Sequence, residues 1–399
     1  MVKWAVISMR IFRAITRLNI GGPSIQAISL MTRLTERGHD AILIHGSLDR
    51  GEGDMRYLAP DGAALVQIAA LCRPIAPLND VRAFFAVLGE LRKYQPTIVH
   101  THMAKAGLIA RAAAFVYNLT RSRRSRTLIV HTYHGHVLEG YFSPAKTALF
   151  ISLERMLARL SDAIVAISPA IRRELLEDHG IGRAGQYHVV PLGFDLSGFA
   201  AVDDRRRAEA RESLGILPGD RVVSTVGRLT GIKQHGLFLD AFAAVAALEP
   251  TAIALIVGDG ELRREIETRT AELGLTDRVR MLGWRRDLDT IYAATDVFLL
   301  TSRNEGTPVA LIEAMASGVP GVSTNVGGVK DVINSTEVGR LAPFGDAPAL
   351  AGAVLELLRS EDLRRRTGQA ARAHVLARYS VDRLVDDIDR LYQQLHGQR

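Results

Sequence analysis

"NEGTPVALIEAMASG", residues 304–318, places Glu305 and Glu313 on either side of Pro308, with Glu313 among apolar and small residues only. An apolar run, Asp296 to Ser302, precedes it, so the segment reads strand, polar loop, helix. Thr307 suits the N-cap, Pro308 the first helical position where its missing N–H is harmless, and Gly318 the residue just past the end. Apart from Glu313 the helix is apolar on every face, which marks it as buried. A capping box would need its acid at Ala310, so Glu313 is not explained as a cap. A buried carboxylate without donors costs several kcal/mol, roughly, so Glu313 needs partners: local backbone or an arginine, or the hydroxyls of a ligand. We read Glu313 and Glu305 as ligand acceptors beside a helix N-terminus whose free N–H groups suit an anion.

A strand followed by a helix is one unit of a parallel sheet, and the pattern recurs along the chain. Strands are expected near 3–9, 40–46, 63–69, 97–102, 127–133, 163–168 and 187–191, then near 221–227, 252–258, 278–283, 296–302, 319–324 and 338–342. The fold class is therefore α/β, with two Rossmann-like parallel-sheet domains. Periodicity lapses over 189–207, which places a boundary near 195: one domain over 1–195, the other over 196–378. An amphipathic helix over 379–396 is expected to pack back on the first domain.

A length of 399 residues agrees with two domains, and 47% hydrophobic with 23% charged residues is ordinary for a globular protein. No apolar run is long enough to span a membrane, and no secretory leader is expected, so the reading is cytoplasmic. Cys72 is the sole cysteine, which excludes internal disulfides and cysteine-cluster metal sites. Residues 1–195 hold 24 Lys+Arg against 15 Asp+Glu, a balance of +9, whereas the remainder holds 26 against 28, a balance of −2. The first half is thus the part suited to an anionic partner or an anionic membrane surface, with a solvated basic surface as the alternative.

Ligands of doubly wound sheets bind beyond the carboxyl ends of the strands, so the loops that follow strands carry the candidates. "VGRLTGIK" (226–233) offers Arg228 and Lys233, suited to a diphosphate. Gly258 in "VGDGE" serves either to admit a nucleotide or to make a strand-to-helix turn. Gly306 and Thr307 belong to the glutamate loop. Gly21 and Gly22 precede a helix expected to start at Pro23 or Ser24, where backbone N–H groups can approach a phosphate. Arg13, Arg17 and Lys105 are placed in loops on the same edge, where they would receive an anionic acceptor.

Five of the twelve histidines (His100, His102, His131, His134 and His136) fall within 37 residues, yet no carboxylate or cysteine stands at ligand spacing, so no metal site is expected. His134, at a strand end, is the one best placed to work on a substrate. Asp287 and Asp289 read as a helix start rather than a metal pair. "RSRRSR" (121–126) lacks interleaved aromatics and lies on the opposite edge, so nucleic-acid binding is disfavoured. The helix 144–160 reads as core packing, with a membrane-surface role as the alternative.

"NEGTPVALIEAMASGVP", "VGRLTGIK" and "VGDGE" in this order, with "LNIGGPS", "VHTHMAKAG", "HTYHGHVLEGYF" and "VVPLGFDL" before them, resemble the family 4 retaining glycosyltransferases. The resemblance runs along nearly the whole chain and points to the bacterial subgroup that builds cell-surface polysaccharides and lipid-linked glycans. It implies the GT-B fold, two Rossmann-like domains facing a central cleft. It also implies a UDP-sugar donor and a glycan acceptor on polyprenyl diphosphate, with no metal and no other cofactor. Carried over by motif, Arg228 and Lys233 hold the diphosphate and Glu313 the ribose. Glu305 holds the donor sugar, Gly22 approaches the diphosphate, and His134 contacts the sugar near the reacting carbon. Gly258, Gly306 and Thr307 complete the donor site, and Arg13, Arg17, Lys105 and His136 are assigned to the acceptor. A UDP-sugar epimerase of similar architecture is the alternative enzyme.

Overall fold

A computed structural model describes residues 7–19, 21–49, 52–134 and 144–398. The chain divides into two compact units, Met1–Phe194 with Val381–Arg399, and Asp195–Ser380.

In the first unit, strands β1 (Arg10–Ile15), β2 (Asp40–His45), β3 (Leu65–Gln67), β4 (Ile98–His102), β5 (Leu128–Tyr133), β6 (Ala163–Ala166) and β7 (Tyr187–Val189) form a parallel sheet in the order β3-β2-β1-β4-β5-β6-β7. In the second, β8 (Arg221–Val226), β9 (Ala252–Val257), β10 (Val279–Gly283), β11 (Val297–Leu300), β12 (Gly321–Thr324) and β13 (Gly339–Ala342) are ordered β10-β9-β8-β11-β12-β13. Helices cover both faces of each sheet, which is why the strands read as continuous apolar runs rather than alternating ones. The strand order reverses at β1/β4 in one unit and at β8/β11 in the other. A doubly wound sheet opens its crevice at such reversals, so the loops after these four strands are where a ligand is expected.

The first strand corrects the sequence reading. The apolar stretch at 4–8 suggested a strand over 3–9, whereas residues 7–9 are irregular and the strand is Arg10–Ile15. Residues 1–6 lie outside the described residues. The register Ile11↔Ile98 and Phe12↔Val99 buries Ile11, Phe12, Ala14 and Ile15 in the sheet. A charged residue inside the strand, Arg13, disguised it as a loop; Arg13 is wholly buried.

The C-terminal helix, Val381–Gly397, belongs to the first unit. Its apolar stripe, Leu384, Val385, Ile388, Leu391, Tyr392 and Leu395, joins the core beneath β1 and the helix Gly22–Glu36. Polar contacts fix its register: Asp386 pairs with Arg37 at 2.6 Å, Asp389 meets His39 at 3.2 Å, and the Tyr392 hydroxyl accepts from Arg13 at 3.0 Å. Among the described residues no helix is long and apolar enough to cross a membrane.

Candidate functional site

In the second unit the site grows from the switch point. The loop after β8 runs Gly227 to Gln234 and the loop after β11 runs Thr301 to Pro308. Thr301 donates through Oγ1 to the carbonyls of Lys233 (3.2 Å) and Gln234 (3.1 Å), and Arg303 N–H to that of Ile232 (2.8 Å), so the two loops are tied by backbone. That stitching brings Lys233 Nζ to 2.6 Å from Glu305 Oε1, and Ser302 Oγ donates to the same oxygen at 2.6 Å. Both charges are largely shielded from water, so the pair is worth more than a surface ion pair. Arg228 projects into solvent and forms no ion pair among the described residues.

Glycines let these loops approach one another. A Cβ on Gly258, whose φ is +131°, would stand 1.9 Å from the carbonyl oxygen of Gly227. Of the two readings of Gly258 the geometry therefore adds a third, close packing of the β9 loop against the β8 loop. Likewise a Cβ on Gly328 would lie 1.9 Å from the carbonyl of Gly306, while Gly328 N–H donates to the Glu305 carbonyl at 2.8 Å. Gly306 itself faces open space.

The helix after the glutamate loop spans Val309–Ala316. Pro308 takes the cap position and no side chain caps the helix, which moves the expected start by one residue and removes Thr307 as the cap. Gly318 follows the helix with φ +81°, as its place past the end requires. Glu313 is mostly buried, and among the described residues its carboxylate accepts one hydrogen bond, from the Tyr292 hydroxyl at 3.1 Å. Burial pushes its pKa up to about 7, with the tyrosine pulling weakly the other way. The carboxylate is thus under-supplied with donors in the free protein. Asp287 pairs with Arg285 at 2.5 Å and Asp289 lies in the first turn of Leu288–Ala294, the helix-start placement.

In the first unit, β1, β4 and β5 carry a cluster of rings around Arg13. Its Nη2 lies 2.5 Å from His102 Nε2, and its Nη1 is 3.0 Å from the Tyr392 hydroxyl and 3.4 Å from His100 Nδ1. His102 Nδ1 lies 2.8 Å from His134 Nε2 at the end of β5. The rings of His100 and His102 stack with centroids 4.6 Å apart. Burial, reinforced by Arg13, holds His100 and His102 well below the usual histidine range and His134 at about 3, so all three are neutral. Gly22 opens the helix Gly22–Glu36 instead of preceding it, with Gly21 as its cap.

Two family models match the chain, one described as Glycosyltransferase Family 4 over residues 20–197 and one as Glycosyl transferases group 1 over 206–374, together well over half of it. The chain belongs to glycosyltransferase family 4. Among its curated relatives is an Escherichia coli protein named UDP-Gal:alpha-D-GlcNAc-diphosphoundecaprenol alpha-1,3-galactosyltransferase, 27% identical over 344 residues, covering 85% of this chain and 86% of the relative. Another is the Staphylococcus aureus capsular polysaccharide biosynthesis glycosyltransferase CapM, 25% identical, covering 85% and 89%. The solved structure of Anabaena HepE in complex with UDP superposes with a TM-score of 0.82 at 22% identity, over 97% of this chain and 100% of that one, which shows the shared fold. The protein is an enzyme, a glycosyltransferase of the hexosyltransferase class, with the two parallel sheets of the GT-B fold.

Of the basic residues expected in loops of this glycosyltransferase, one is placed differently by the structure. Arg13 is inside the sheet. Arg17 is paired with Glu52 at 2.8 Å, and Lys105 with Asp80 at 2.6 Å. Arg17 and Lys105 thus each carry a carboxylate partner, as Lys233 does, and Arg13 is bound by ring nitrogens and a hydroxyl. His136 lies outside the described residues. Sequence reasoning missed Tyr292, Ser302 and Gly328, the direct supports of the two glutamates. Only Gly327-Gly328 left a signal, a glycine pair after a strand.

Proposed function

We propose that this glycosyltransferase moves a hexosyl group from a UDP-sugar to a glycan carried on a polyprenyl diphosphate, retaining the anomeric configuration and without a metal ion. The observation that carries the reading is the Lys233–Glu305 pair at the β8/β11 switch point, in the loop that leads into the helix bearing Glu313. The names of the Escherichia coli and Staphylococcus aureus relatives and the UDP in Anabaena HepE support the donor and acceptor classes.

In this reading the ribose hydroxyls donate to Glu313, adding to the hydrogen bond from the Tyr292 hydroxyl. Lys233 and Arg228 neutralise the diphosphate, both in the ground state and as it leaves with added negative charge. That positive charge at the leaving group does the work a divalent cation would do, which supports a metal-free reaction. Glu305 accepts from the sugar hydroxyls. Its carboxylate is already held by Lys233 and Ser302, so it is poorly suited to attack carbon. We therefore favour attack on the same face as departure. The bond from the anomeric carbon to the diphosphate oxygen breaks, the acceptor oxygen bonds to that carbon, and the hydroxyl proton passes to the departing diphosphate.

The lipid-linked acceptor calls for peripheral membrane contact, and the exposed side chains nominate a surface. Ile75, Leu78, Val81 and Phe85 are all more than half exposed along the start of Pro77–Tyr94, next to exposed Arg73 and Arg82. This apolar stripe with basic flanks is preferred to the helix 144–160, where Leu149 and Met156 are exposed but Leu157 is buried.

The deciding experiment measures UDP release from a panel of UDP-sugars, with and without a polyprenyl-linked glycan extract, using Glu305→Ala as control. Release that needs the extract and vanishes in the variant is expected. Equal release by Glu305→Ala, or none with any donor, overturns the reading.

A further inference from the structure

We propose that Arg13, acting through His102, locks His134 in the Nδ1–H tautomer, so that this ring presents a fixed, uncharged hydrogen-bond donor to a sugar oxygen at the carboxyl edge of the first sheet. The identity of the ligand rests on the proposed function; the locking does not.

The argument follows from what each group can do. A guanidinium only donates, so His102 Nε2, at 2.5 Å from Arg13 Nη2, must be the unprotonated nitrogen. A neutral His102 then carries its proton on Nδ1, and that nitrogen points at His134 Nε2, 2.8 Å away. His134 Nε2 is therefore the acceptor, and the His134 proton is on Nδ1. His134 Nδ1 is buried and has no hydrogen-bond partner among the described residues. A buried N–H without an acceptor is destabilising, a penalty a ligand oxygen would relieve.

The same arginine sets the opposite tautomer next door. The Tyr392 hydroxyl accepts from Arg13 Nη1 and so gives its own proton to His100 Nδ1 at 2.6 Å. His100 then donates from Nε2 to Thr132 Oγ1 at 2.7 Å. Two chains of bonds thus leave Arg13, one through His102 to His134 and one through Tyr392 and His100 to Thr132, each with its direction set by the guanidinium.

Two further features fit this role. Arg13 is fully buried, and no carboxylate pairs with it among the described residues, so its hydrogen bonds go to His102, His100 and Tyr392. Burial first, and the Arg13 charge second, keep the rings from taking up protons, so the donor stays neutral. Arg13 and His102 are positioning residues. They shape His134 without touching substrate.

Nitrogen-15 spectra of the full-length protein labelled at histidine test this directly, because the two tautomers have distinct ring-nitrogen shifts. The expected pattern is Nδ1–H at His102 and His134 and Nε2–H at His100. His102→Leu should release His134 to a mixed or Nε2–H state and lower kcat about 100-fold with KM little changed. His102→Asn, whose amide nitrogen stands where Nδ1 was, should preserve both the His134 tautomer and most of the turnover. Arg13→Met should behave like His102→Leu; if it fails to fold, the wild-type spectrum and the two His102 variants still decide. An Nε2–H or charged His134 in the wild type, or a His134 tautomer unmoved in His102→Leu, overturns the proposal. Correct tautomers with no turnover on any UDP-sugar would instead sink the donor assignment alone.

Discussion

Replacing Glu313 by glutamine should make the second domain more stable in neutral and mildly basic solution, at the expense of activity. In the unfolded chain this carboxyl titrates near its ordinary 4.5, and in the folded one burial raises it to about 7. Between those values the folded state holds more protons than the unfolded state, so stability falls as the pH rises through this window and is flat above it. The shift corresponds to about 3 kcal/mol in total, of which about 2.5 kcal/mol is lost between pH 5 and pH 8. Glutamine cannot ionise and keeps an acceptor for Tyr292, so it escapes that loss. Denaturant unfolding of both proteins at the two pH values measures the difference of differences, which cancels every other titrating group. The gap should widen in favour of the variant by about 2 kcal/mol or more from pH 5 to pH 8. A gap that stays constant would refute the buried, under-supplied carboxylate. Ribose hydroxyls would return the pKa toward its ordinary value, so binding of UDP near pH 6 should release about one proton, read by calorimetry in buffers of different ionisation heat.

Asp296, buried against Arg207 at 2.5 Å, Arg211 at 3.4 Å and Arg364 at 3.6 Å, also accepts from the Val222 N–H at 2.8 Å. Asp296→Ala should cost about 3–5 kcal/mol in denaturant unfolding, and a loss under about 1 kcal/mol would contradict the network. Gly328→Ala forces a methyl into the Gly306 carbonyl, and a displaced glutamate loop should reduce kcat/KM about 100-fold while the domain still melts cooperatively. Normal turnover in that variant would mean that the loop position does not matter. Chelation with EDTA should leave initial rates unchanged; loss restored by magnesium would end the metal-free mechanism.

The second domain was legible because its chemistry is local. Lys233 and Glu305 occupy loops that follow apolar runs, and a loop after a strand of a parallel sheet lies on the ligand edge whatever the sheet order. What stayed hidden was long-range. Tyr292 meets Glu313 from another helix, and nothing in either sequence segment marks the encounter. The first domain was harder for a related reason. Arg13 interrupts an apolar run, and a charge in a strand reads as solvent until its partners are known. Those partners come from β4 and from a helix nearly four hundred residues along the chain. The carboxylate partners of Lys105 and Arg17, Asp80 and Glu52, were hidden in the same way, since they come from other segments.

The return of Val381–Gly397 to the first domain has a consequence for how the protein is made. At roughly 5–20 residues per second, the ribosome spends on the order of 10–40 s on the intervening domain before that helix emerges. Throughout that interval Arg13 lacks the Tyr392 hydroxyl and His39 lacks Asp389, while the apolar stripe that will receive Leu384, Ile388 and Leu391 stays bare. The domain translated first is thus completed last. Its neighbour, built from one uninterrupted stretch, is the one free to fold during synthesis.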